Sequence, residues 1–124
     1  MSSSIPPQVQ EQLARLQQLQ QTLQVLITQK QQLELELSDT ERALGELEKL
    51  TDETVIYKSI GALLVKSNRQ SVMKELSERK ELLNTQVTVL KKQEERASSK
   101  LKELQQSLQE RLKPAAESSS TEET

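Results

Sequence analysis

Apolar side chains recur every three or four residues through two long stretches of this 124-residue chain, and the positions between them are mostly Gln, Glu, Lys and Arg. In residues 8–50 a seven-residue count places Val9, Leu16, Leu23, Lys30, Leu37 and Leu44 at one seam position, a. It places Gln12, Leu19, Leu26, Leu33, Thr40 and Leu47 at the other, d. In residues 69–113 the same count gives Leu76, Leu83, Leu90, Ala97, Leu104 and Arg111 at a, and Met73, Lys80, Val87, Glu94, Leu101 and Leu108 at d. Nine of the twelve seam positions are apolar in each segment. A 3.5-residue period sustained over about six heptads predicts coiled-coil helices, because helices of ordinary globules rarely run past about 25 residues. At about 1.5 Å per residue each helix is expected to be roughly 60 Å long.

The segment between them, residues 51–68, breaks the pattern. Thr54-Val55-Ile56-Tyr57-Lys58-Ser59-Ile60 and Ala62-Leu63-Leu64-Val65-Lys66 are β-rich runs on either side of Gly61, which tolerates the positive φ of a tight reversal. A β-hairpin is predicted, with an apolar loop capping the coil as the alternative. Its alternation suggests one face carrying Val55, Tyr57, Leu63 and Val65 and another carrying Ile56, Ile60 and Leu64. Ser67-Asn68-Arg69-Gln70 has the spacing of a capping box that opens the second helix. Pro7 suits a first helical turn and Pro114 closes the second helix. The expected order is therefore a leader (1–7), helix (8–50), hairpin (51–68), helix (69–113) and a disordered acidic tail (114–124).

So short a connection favours helices lying side by side and antiparallel, with both chain ends at one tip. The fold class is mainly α: a long antiparallel two-helix coiled coil with a single β-hairpin at the turn. Pairing about residue 60 brings Lys30 near Glu94, and either these two charges pair or Lys30 extends its ammonium into water.

Composition narrows the function. Cys, His, Trp and Phe are absent and Tyr occurs once, while Leu supplies 21 residues and Gln 17. Without thiol or imidazole there is no disulfide, no common zinc site and no candidate nucleophile or base, so neither an enzyme nor a cofactor is expected. The acids on solvated helix faces read as charge patterning. A net charge of -2 with interspersed signs provides no field for nucleic acid or an anionic membrane. No apolar run of membrane-spanning length exists, and Met1-Ser2-Ser3-Ser4 lacks the features of a secretory signal. A cytoplasmic protein is expected.

A two-stranded hairpin is marginal in water, because it hides neither its edges nor both its faces. Hairpins from several chains are therefore expected to pair edge to edge and pack into a small β-barrel body from which the coils project. The residues engaged are expected to be Val55, Ile56, Tyr57, Ile60, Gly61, Leu63, Leu64 and Val65.

Three runs carry a family resemblance: Ile5-Pro6-Pro7-Gln8-Val9-Gln10, the hairpin from Val55 to Lys66, and Lys92-Gln93-Glu94-Glu95-Arg96 followed by Lys100-Leu101-Lys102-Glu103-Leu104. Over roughly Ile5 to Pro114 the chain resembles the β subunit of archaeal prefoldin, whose α subunits carry two hairpins instead of one. The resemblance implies a hexamer of two α and four β subunits that holds unfolded polypeptides without ATP and passes them to a group II chaperonin. The absence of a phosphate-binding glycine loop agrees with a cycle that uses no nucleotide. Ile5, Val9, Leu13, Leu16, Leu104, Leu108 and Leu112 would then form a broken apolar strip for clients at the coil tip, unless Leu13, at an e position, only widens the seam. The tail acids Glu117, Glu122 and Glu123 would either meet a basic surface on the chaperonin or aid solubility. The competing class is a coiled-coil scaffold or tether in another complex, which has no need of the β insert.

Overall fold

The computed structural model describes residues 5–112. Its elements are α1 (Pro7–Glu48), β1 (Ile56–Ile60), β2 (Leu63–Ser67) and α2 (Arg69–Leu112). The two long helices joined by one antiparallel hairpin are the fold class that the heptads and the β-rich insert predict.

Local chemistry sets the ends of each helix. Pro7 lacks an N–H where none is needed, and the Pro6 carbonyl accepts the amides of Val9 and Gln10 at 3.0 Å each. At the far end of α1 the chain tightens, with Lys49 N–H donating to the Glu46 carbonyl and Leu50 N–H to that of Leu47, both at 3.2 Å. Arg69 then reaches back from the start of α2. Its Nε donates to the Leu47 carbonyl at 2.7 Å and its Nη1 to Asp52 Oδ1 at 2.9 Å, while Gln70 donates to the second Asp52 oxygen at 3.3 Å. One side chain thus gives the Leu47 carbonyl a second donor beside the Leu50 amide and ties the loop between the elements to the end of α1.

The start of α2 corrects the expected capping box. Ser67 is the last residue of β2 and pairs with Ile56, so the helix begins only after the ladder is complete. Asn68 is the cap instead, its Oδ1 accepting the Ser71 amide at 2.9 Å. Asn68→Ala is expected to cost about 1 kcal/mol in denaturant-unfolding free energy, and Ser67→Ala clearly less.

The chain divides into two compact units, one formed by residues 28–91 and the other by the segments on either side of them. In residues 28–91 Arg79 binds Glu36 and Arg69 binds the Leu47 carbonyl, so rising numbers in α1 meet falling numbers in α2, as an antiparallel pair requires. Leu83 is fully enclosed, at 0% exposure, and Leu47 is buried. Thr40 is buried too, its hydroxyl donating to the Glu36 carbonyl at 2.8 Å, so a polar residue sits in the seam with its donor satisfied. In the other unit Val9, Ala97 and Leu108 are buried and Arg111 donates to Gln8 at 3.4 Å. Every buried residue among those described falls at an a or d position of the sequence count.

The hairpin register is Ile56↔Ser67, Tyr57↔Lys66, Lys58↔Val65, Ser59↔Leu64 and Ile60↔Leu63. The turn is therefore the two residues Gly61-Ala62. Gly61 takes φ 56° and Ala62 does not follow it into positive φ, the pattern of a II′ turn. Residues directly opposite share a face, so one face holds Ile56, Lys58, Ile60, Leu63, Val65 and Ser67 and the other Tyr57, Ser59, Leu64 and Lys66. This overturns the face sets drawn from alternation about Gly61. A turn one residue longer shifts the second strand by one, which moves Leu63 and Val65 to the side of Ile56 and Ile60 and moves Leu64 to the side of Tyr57.

Candidate functional site

Two surfaces stand out, one in each unit. The first is the hairpin. Tyr57 and Leu64 are exposed on one face and Ile60, Leu63 and Val65 on the other, with Leu64 the most open at 73%. Val55, just before β1, is exposed as well, while Ile56, nearer the helices, is half-buried. Gly61 lies at the turn with open space around its Cα. An exposed two-stranded ribbon with aliphatic side chains on both sides leaves edges and faces hydrated at a cost, which association with other strands removes.

What holds this ribbon leaves no pattern in the sequence. Lys58 stands in the middle of the Ile56–Ile60 face, and its ammonium meets Glu75 of α2 at 2.6 Å. Both side chains are well exposed, so the pair contributes little energy. Its effect is to fix which face of the hairpin turns towards α2. The one signal in the sequence was a lysine among aliphatic strand residues, with no means of locating its partner 17 positions away.

The second surface lies where Gln8 meets Arg111. Of the seven residues expected there, Ile5 and Leu112 are exposed and Leu13, Leu16 and Leu104 half-buried. Val9 and Leu108 are buried at 5% and 4%. The strip is thus split into exposed flanks and a closed seam. Gln12, at a d position of the same unit, has a buried Oε1 with no hydrogen-bond partner. An orphaned buried carbonyl costs about 1–3 kcal/mol, so this end of the seam is a weak one. Glu117, Glu122 and Glu123 lie outside the described residues.

Among the described residues no helix is long and apolar enough to cross a membrane. Nor do these residues include a cluster of three or more acidic, His or Cys side chains able to hold a metal ion.

A long helix, one hairpin and a second long helix, with the hairpin's aliphatic residues bare, is an arrangement with close relatives. A family model described as "Prefoldin subunit" matches residues 10–115. The chain belongs to the prefoldin family. It is 50% identical to prefoldin subunit beta of Archaeoglobus fulgidus over 112 residues, spanning 90% of this chain and 97% of the relative. Against prefoldin subunit beta of Pyrococcus furiosus the identity is 44%, over 90% of this chain and 95% of the relative. In three dimensions it resembles the crystal structure of the prefoldin beta subunit from Thermococcus strain KS-1, with a TM-score of 0.81 and 42% identity over 91% of this chain and 99% of that one. The beta2 subunit of the same strain scores 0.67 at 27% identity, over 73% of this chain and 97% of that one. Prefoldin is a non-enzymatic chaperone built as a hetero-oligomer, and this chain is a chaperone subunit of the β type.

Proposed function

We propose that this prefoldin subunit is an ATP-independent holdase component, four copies joining two α-type subunits in the cytoplasm to hold unfolded polypeptides and deliver them to a group II chaperonin. The observation that carries this reading is the hairpin with large aliphatic side chains exposed on both faces. Paired edge to edge with its counterparts, the ribbon would close into a β-barrel body and bury the side chains that a single copy leaves in water.

Client contact is assigned to the weak end of the seam. Ile5, Leu13, Leu16, Leu104 and Leu112 supply accessible apolar surface, and Val9 and Leu108 form a floor reached when the helices part at Gln12. Such contacts are individually weak and sequence-indifferent, and several subunits acting on one chain multiply them. The tail residues Glu117, Glu122 and Glu123 are assigned to chaperonin contact, with solubility as their other role.

The test joins two measurements. Light scattering of this chain with and without an α-type subunit should show a larger particle only with both present. That particle should suppress aggregation of unrelated denatured proteins. The triple variant Ile5→Ser, Leu13→Ser and Leu112→Ser should leave particle size unchanged and weaken client affinity by roughly two to three orders of magnitude, since each of the three sites loses roughly half the value of a buried aliphatic side chain. Undiminished protection by the triple variant would remove the client assignment. A particle that protects one specific partner and no other would favour a scaffold.

A further inference from the structure

The unit that carries the chain ends has different grooves on the two sides of its seam. On one side a groove of about 550 Å³ is lined by Leu19 and Leu104 at its floor and by Arg15, Lys100, Glu103 and Ser107 at its rim. It runs on through Leu19 and Lys100 into a second hollow of about 340 Å³, where Leu26 and Ala97 continue the floor and Arg96 joins the rim. Three cations and one carboxylate thus border a continuous apolar trough. The hollow on the other side, about 410 Å³, has Leu23 and Ile27 with Glu94, Glu95, Ser98 and Ser99. It carries two carboxylates and no cation.

The cations of the first groove are open to solvent. Arg15 lies 4.0 Å from Glu11 on its own helix, both well exposed, a contact worth little. Among the described residues Arg96 and Lys100 engage in no ion pair. Long basic side chains beside a trough lay their methylene stems along the apolar floor and leave their charges at the lip. The trough accepts a few aliphatic or aromatic side chains, and the lip attracts carboxylates next to them in sequence.

We propose that this groove selects, among unfolded segments, those in which apolar residues alternate with acidic ones, so that the subunit grips its clients by charge as well as by hydrophobicity. The inference rests on the holdase reading and specifies the polypeptide class it prefers. The chain's own end is a poorer occupant. Although Glu117, Glu122 and Glu123 match the lip in sign, residues 113–124 contain no Leu, Ile, Val, Met or aromatic side chain to enter the trough.

The experiment uses the full chain assembled with an α-type subunit and two fluorescent peptides with one leucine pattern, flanked by glutamate in one and lysine in the other. Three exposed ion pairs at about 0.2–1 kcal/mol each give the glutamate peptide an advantage of about tenfold at low salt, shrinking as ionic strength rises. Arg15→Gln, Arg96→Gln and Lys100→Gln together should abolish that advantage, lowering the glutamate peptide's affinity without lowering the lysine peptide's, and leave the particle size unchanged. Glu95→Gln, on the other side, should change nothing. Equal affinities in the wild type, or an advantage that survives the triple variant, overturns charge selection alone. If neither peptide binds, the holdase reading itself fails. A shortened chain ending at Pro114 should show the same ratio, and a large gain in its affinity for the glutamate peptide would assign the groove to the chain's own end and overturn the client as occupant.

Discussion

Leu63→Glu combined with Leu64→Glu is expected to leave the helices intact by circular dichroism and to eliminate assembly with an α-type subunit. The two leucines sit on opposite faces of the hairpin and are exposed in the single chain, so neither change disturbs the fold of one copy. In an assembly that buries both faces, losing two leucines forfeits roughly 3–6 kcal/mol, and placing carboxylates in their stead adds a desolvation cost. At about 1.4 kcal/mol per tenfold in affinity the aliphatic loss alone lowers association by two to four orders of magnitude. The single variants dissect the contact. If Leu64→Glu assembles normally, the Tyr57–Leu64 face stays outside the body. If Leu63→Glu does, the other face is outside. Assembly of the double variant at wild-type concentration contradicts a hairpin-built body.

The second large effect sits in the coil. Leu83→Ala removes the side chain of a residue with 0% exposure and is expected to cost about 2–5 kcal/mol in the unfolding of residues 28–91, read from a urea titration. Its neighbour Leu82 is half exposed, and Leu82→Ala should stay within about 0.5 kcal/mol. Two adjacent leucines with opposite outcomes test the phase of the heptads, because a seam displaced by one residue reverses the order.

That phase was legible because it repeats: many leucines vote for one register, and every buried residue among those described obeys it. The hairpin was legible as an element for a similar reason, the clustering of β-branched residues about one glycine. Its register was not. One turn residue decides which strand residues share a face, and Gly61 does not announce that Ala62 turns with it. The cap shifted from Ser67 to Asn68 for the same cause, since where the ladder stops depends on that register. Contacts made by a single long side chain left no periodic trace either. Arg69 on the Leu47 carbonyl, Lys58 on Glu75 and Arg79 on Glu36 join residues 22, 17 and 43 positions apart. At the chain ends the heptad count placed Val9 and Leu108 in the seam, but whether the seam closes there depends on neighbours such as Gln12, whose carbonyl is left without a partner.

The antiparallel rungs also imply an order of events. Arg69 with Leu47 encloses a loop of 22 residues, Arg79 with Glu36 one of 43, and Arg111 with Gln8 one of 103. Chain entropy favours closing the smallest loop first, and each rung then shortens the loop still to be closed by the next. The molecule should zip from the hairpin outward, so the helix segments around Gln8 and Arg111 are the last to pair and the first to come undone.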